Sequence, residues 1–154
     1  MKKATLALLN LFAGLILVRF TVSKFAAWPI SVAAFEDMAK PLGLDPTFFR
    51  IFTGFIIGFA AISFFTNGLI FLFSKIDSRK IVRLFAATNL YAIGAMSGAL
   101  LSEFFLRSEP KWMLVYIAAG ILCVTAINLS LYHKKILNTF FEGHPVDSLQ
   151  PSKG

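Results

Sequence analysis

The stretch Gly54 to Gly68, GFIIGFAAISFFTNG, decides the fold. It lies inside an apolar run from Ile51 to Phe73 that contains no charged residue. At ~1.5 Å per helical residue the run is roughly 33 Å long, enough to cross a bilayer. The chain around it reads the same way. Of its 154 residues 57% are hydrophobic, 18 are Phe, and only 15% are charged. A soluble domain of that length has too little interior to hide so much apolar surface.

Working outward, the apolar segments predict an all-α membrane protein, a four-helix up-down bundle. The expected spans cover about residues 4–23, 48–73, 81–105 and 112–132, within one domain over 1–135. The start, MKKATLALLNLFAGLILV, has the charge and apolar core of a signal peptide. Its only small-residue cleavage site, near Ala26, carries Lys24 where a small residue is required, so a retained first helix is expected. Arg19 and Lys24 end that helix with stems long enough to snorkel toward headgroups.

A short helical segment at about 29–40 follows, opened by Pro29 and stopped by Pro41 and Gly43. Ile30, Ala33, Ala34, Phe35 and Met38 share one side and Glu36, Asp37 and Lys40 the other. This is the pattern of an interfacial helix, with Trp28 as its anchor, acting as a surface connector or as a lid over a pocket. Asp45 before Pro46 is a strong helix start. The polar tail, 136–154, is expected to be mobile and cytoplasmic, although Phe140 and Phe141 could reach the membrane.

The net charge of +7 follows the membrane topology rather than a nucleic-acid patch, because the basic residues flank apolar runs. In the antiparallel order one side carries Lys2, Lys3, Lys75, Arg79, Lys80, Arg83, Lys134, Lys135 and Lys153. The other carries Arg19, Lys24, Lys40, Arg50, Arg107 and Lys111, diluted by five acids. Both termini are therefore expected on the cytoplasmic side. Cys123, the one cysteine, forms no intramolecular disulfide.

Three patterns are candidates for contact or chemistry. Gly54 and Gly58, and again Gly94 and Gly98, give small-residue faces for close helix packing, within the chain or against a second copy. Ala119, Cys123, Ala126 and Ser130 do the same in the last span. Each span also carries one asparagine: Asn10, Asn67, Asn89 and Asn128. In an up-down bundle these share one layer, about 8–12 Å inside the cytoplasmic end. Amides in hydrocarbon need partners, so the layer, with Ser63 beside it, is a polar clamp or a polar pocket. Third, Glu103 lies level with Arg19 and Arg50 near the opposite end, where ions so close to hydrocarbon should pair. That cluster is either structural or a headgroup, quinone or proton-linked site. His133 and His144 are the only histidines, and both lie in or near the tail. No metal, haem or hydrolytic set assembles inside the bundle, and no catalytic constellation is found.

The connector FEDMAKPLGLDP (Phe35 to Pro46), a first helix ending in Lys24-Phe25, and a second span opening toward GFIIGFAAIS together resemble the DoxX-like superfamily, which includes DoxD- and MauE-type proteins. Two positions differ from the family's pattern. Gly54 stands where an acid is common, and Asn10 stands where an arginine is usual early in the first helix. The family's polar residues are therefore not carried over. The resemblance implies a bacterial inner-membrane protein, sometimes a partner of oxidoreductase complexes and often without an assigned activity; the first reading is a non-catalytic accessory subunit of a membrane complex, with no cofactor expected and no specific residues to support a quinone. The expected partners are the bilayer and either another membrane protein or a second copy; nucleic acid is not among them. Two alternatives are a small dimeric transporter, for which Glu103 is the nearest candidate proton carrier, and a lipid- or small-ligand-binding bundle.

Overall fold

A computed structural model describes residues 3–73 and 78–141; Lys2, Lys75, Lys153 and the tail from residue 142 lie outside it. The described residues form five helices and no strand. They are α1 (Lys3–Phe25), α2 (Pro29–Ala39), α3 (Pro46–Phe73), α4 (Arg79–Phe105) and α5 (Trp112–Phe141), with a 3-10 turn at Lys40–Leu42 after α2. Four of them, α1, α3, α4 and α5, are long and apolar enough to cross a membrane, so this is a multi-pass membrane protein. Their outward faces are apolar side chains such as Phe12, Phe55, Phe59 and Ile62, each more than half exposed. In water that surface would drive aggregation; in lipid it is solvated.

The helices follow chain order around the bundle: α1 on α3, α3 on α4, α4 on α5. The circle closes weakly, because α1 and α5 touch little. The start of α1 and the end of α5 therefore lie at one end of the bundle, here termed the terminal end. The capped end carries α2 and the turn between α4 and α5.

Local signals explain the element boundaries. Asp45 accepts from the Phe48 amide at 2.6 Å and caps α3, as the Asp-Pro pair predicts. Gly43 stops the 3-10 turn in the left-handed region at φ 63°. Ala27, between α1 and α2, takes φ 52° without being glycine, so the α1–α2 corner is strained. One boundary differs from expectation. The last helix does not end at Tyr132 but continues through His133, Lys134 and Lys135 to Phe141. Lysine, leucine and asparagine tolerate a helix, cations suit its C-terminal end, and no Gly or Pro interrupts before Gly143.

α1 and α3 form the tightest pair. A Cβ added at Gly54 would lie 3.2 Å from the Phe25 ring, at Gly58 3.3 Å from Thr21, and at Gly68 2.7 Å from Leu11. Gly14 of α1 meets Phe65 at 3.2 Å in the same way. Small residues let these two backbones approach, which lipid itself does not drive. Gly94, Gly98 and Gly120 have open space where a Cβ would stand, and Ala119, Cys123, Ala126 and Ser130 are exposed. Equal-looking stripes on α4 and α5 thus make no packing seam within the chain.

Two apolar clusters fill the bundle. The larger joins Leu17, Ile57, Phe64, Met96 and Ile121 from all four spans. The smaller, at the terminal end, contains Leu6, Ile70, Phe71, Val82 and Phe85.

Candidate functional site

The asparagines lie between these clusters. Asn10 and Asn128 exchange amide hydrogen bonds at 3.1 and 2.8 Å. The second Asn128 amide hydrogen goes to Asn89 Oδ1 at 3.0 Å. Asn10 and Asn89 each donate to the carbonyl one turn earlier, Leu6 and Phe85, at 2.8 Å. Asn67 stands apart from this triad. Its Oδ1 accepts from the Thr88 hydroxyl at 2.7 Å, while its buried Nδ2 has no partner among the described residues. Ser63 bonds to Phe59 of its own helix, and Thr125 to Ile121. Toward the terminal end the rings of Phe71, Phe85 and Tyr132 cluster at 5.4–5.7 Å, two of the three pairs edge-on and the third tilted. All four asparagines are at most 1% exposed. The layer is a closed clamp in this geometry, with no opening at that end.

Space exists at the other end. A cavity of about 530 Å³ lies among α1, α3, α4 and α5, under α2. Its floor is the larger apolar cluster: Leu17, Ile57, Met96, Ala118 and Ile121. Its roof is α2, which buries Ser31, Phe35 and Met38 at helical spacing. The buried stripe is narrower than the apolar side expected from sequence, since Ala33 is exposed and Ile30 is exposed at the chamber's edge. Phe35 packs edge-on against Phe49 of α3, ring centres 5.1 Å apart, and so seats the roof.

The cavity's polar groups gather near the roof. Lys24, expected to snorkel outward, is only 8% exposed and points inward. Its ammonium lies 5.8 Å from the Phe20 ring centre and 5.6 Å from that of Phe35, a cation–π arrangement. The backbone that carries it is fixed by Arg50, whose guanidinium donates to the Lys24 carbonyl at the end of α1. Glu103 accepts from Arg107 at 2.8 Å and from the Lys111 amide at 2.6 Å, closing the α4–α5 turn. The expected cluster of Arg19, Arg50 and Glu103 is therefore assembled differently. Arg107 is the ion-pair partner of Glu103, Arg50 serves α1, and Arg19 is exposed at the cavity rim. Ser31 lines the roof with a buried hydroxyl that has no partner among the described residues.

One contact ties the roof to the far side. Asp37 accepts from the Ser108 hydroxyl at 2.7 Å and from its amide at 3.1 Å. A shallow cleft of about 310 Å³ beside it runs along Lys40, Pro41 and Leu106. The two Ser108 bonds favour the ionised carboxylate and hold Asp37 below its ordinary range, with Lys40 and Arg107 adding to the effect. A depressed carboxyl stabilises its contact above the unfolded pKa and loses that contribution as pH falls through the folded one. Exchange protection of the Ser108 amide should thus stay level from neutral pH to about 4 and fall below it. In Asp37→Ala it should be low at every pH.

Sequence reasoning brought out Glu103, Arg19 and Arg50 at this end but not Ser31, Arg107 or Lys111. Glu103 and Arg107 stand four apart, as do Phe20 and Lys24, and both spacings were available as signals. No family model, curated protein or solved structure matches this chain.

Proposed function

We propose that this chain is a DoxX-like protein of a bacterial inner membrane and works as a non-catalytic subunit, holding an amphiphilic ligand in the chamber under α2. The observation that carries the reading is the chamber itself. It has apolar walls, a volume within the range of small-ligand sites, and its polar groups confined to one pole. The helix count, and the short helix between the first two spans, are what the DoxX-like resemblance implies. The excess of lysine and arginine at the terminal end supports a cytoplasmic location for both termini. The capped end then faces the other side of the membrane, and a partner subunit would meet the ligand there. A quinone is the cofactor the resemblance would supply.

Gly98 gives the test. It lines the chamber and has free space around an added Cβ. Gly98→Phe should place a ring in the chamber space and gain roughly 0.3–0.5 kcal/mol of helix propensity. Native mass measurement from mild detergent should show a small apolar molecule on the wild type and none on Gly98→Phe, with melting no lower in the variant. Solvent extraction and an ultraviolet spectrum would identify a quinone. A wild-type chain that carries neither small molecule nor partner would sink the proposal.

A further inference from the structure

We infer that the ligand of this chamber is an anionic amphiphile, its charged head between Lys24 and Ser31 and its tail on the floor of the large apolar cluster. This rests on the chamber reading above and adds the sign of the head. The walls carry four cations, Arg19, Lys24, Arg107 and Lys111, against one carboxylate, Glu103. Glu103 is already engaged by Arg107 and by the Lys111 amide. Lys24 therefore has two aromatic rings and the through-space pull of Glu103, but no hydrogen bond from its ammonium among the described residues. A cation buried at this depth without a hydrogen-bonded counter-charge is costly. On the same chamber wall the Ser31 hydroxyl is 7% exposed and equally unspent.

Two unspent donors, one from α1 and one from α2, line the polar pole of an otherwise apolar space. An oxyanion satisfies both. A neutral alcohol or ring carbonyl leaves the ammonium with only the through-space pull of Glu103, whose oxygen is already taken by Arg107 and the Lys111 amide, and a cationic head meets the surplus positive charge. The tail has room as well. Ile16 and Arg19 on α1 and Met113 and Ile117 on α5 all line the chamber, beside the sparse α1–α5 contact. The head class is shared by two sources, a free single-chain amphiphile and an anionic bilayer lipid.

The full chain in phosphatidylcholine nanodiscs, titrated with cetyl sulfate and with cetyl alcohol at equal mole fraction, tests the inference. The wild type should bind the sulfate about tenfold more tightly or better, the size of effect expected for a desolvated charge contact. Lys24→Gln should abolish that preference while leaving alcohol binding, Lys24→Arg should keep it, and Ser31→Ala should reduce it about threefold. Equal binding of the two probes by the wild type, or a preference unchanged in Lys24→Gln, overturns the anionic assignment and leaves the chamber reading standing. Binding of either probe that survives Gly98→Phe overturns the chamber reading itself, as does binding of neither. Competition by phosphatidylglycerol would assign the head to a bilayer lipid, and its failure to compete to a free amphiphile; either result keeps the anionic class.

Discussion

Asn128→Leu should destabilise the bundle by about 2–4 kcal/mol, whereas Asn67→Leu should cost less than about 1 kcal/mol. The volumes are similar and both residues lie in one layer, so the contrast isolates hydrogen bonding. Asn128 makes three bonds to other helices, and its loss leaves the Asn10 amide and the Asn89 carbonyl short of partners inside hydrocarbon. Asn67 accepts one bond, and its donor, Thr88, also has the Phe85 carbonyl at 3.0 Å. Its own amide nitrogen is already unpaired. Replacing all three triad residues by leucine should cost less than the sum of the single changes, since orphaned partners disappear together. Unfolding in detergent, followed by helix loss, measures each. Equal costs for Asn128 and Asn67 would contradict the triad.

The second large effect is at the other end. Glu103→Leu strips Arg107 of its counter-ion and the Lys111 amide of its acceptor, with both side chains of the ion pair under 10% exposed. Breaking a buried pair from one side costs roughly 3–5 kcal/mol, more than the pair itself contributes. Glu103→Gln keeps an oxygen for the Lys111 amide and loses only the charge, so about 1–3 kcal/mol is expected. Leucine at both 103 and 107 should recover much of the loss. If Glu103→Leu melted like the wild type, the carboxylate would have to be doing something other than holding this turn.

The architecture was legible because lipid leaves few alternatives. Long uncharged runs, the Asp45-Pro46 start and alternating basic loops each point to spans in antiparallel order. The asparagine layer followed from that order alone, since it needs only axial height. Which asparagines touch depends on how each helix is rotated, and no local pattern encodes rotation. The same ignorance covers the glycines. Gly54 and Gly94 open similar stripes, but only the first receives a neighbour, because Lys24 and Phe25 of α1 lie over it. Lys24 was read as an outward-reaching anchor because its place at a helix end is typical of one. It turns inward because Phe20, a turn away, and Phe35, on another helix, offer ring faces there. Half of that arrangement is tertiary and could not be read along the chain.

The positions of the hydrogen bonds joining α1 and α3 to α4 and α5 have a mechanical consequence. Asn10–Asn128 and Thr88–Asn67 lie at the asparagine layer, and Tyr91 reaches from just above it to the Ile56 carbonyl at the chamber wall. Among the described residues a further contact, from Asp37 of α2 to Ser108 of the α4–α5 turn, is exposed at the opposite end. The chamber lies between them. The molecule is built like a door, with its hinge pinned in hydrocarbon and its latch in water. From Asn128 to Leu114 the α5 lever is about 21 Å long, so each degree of swing about the hinge moves the chamber wall by about 0.4 Å. Releasing one surface carboxylate would then widen the seam between α1 and α5 without breaking any bond inside the membrane.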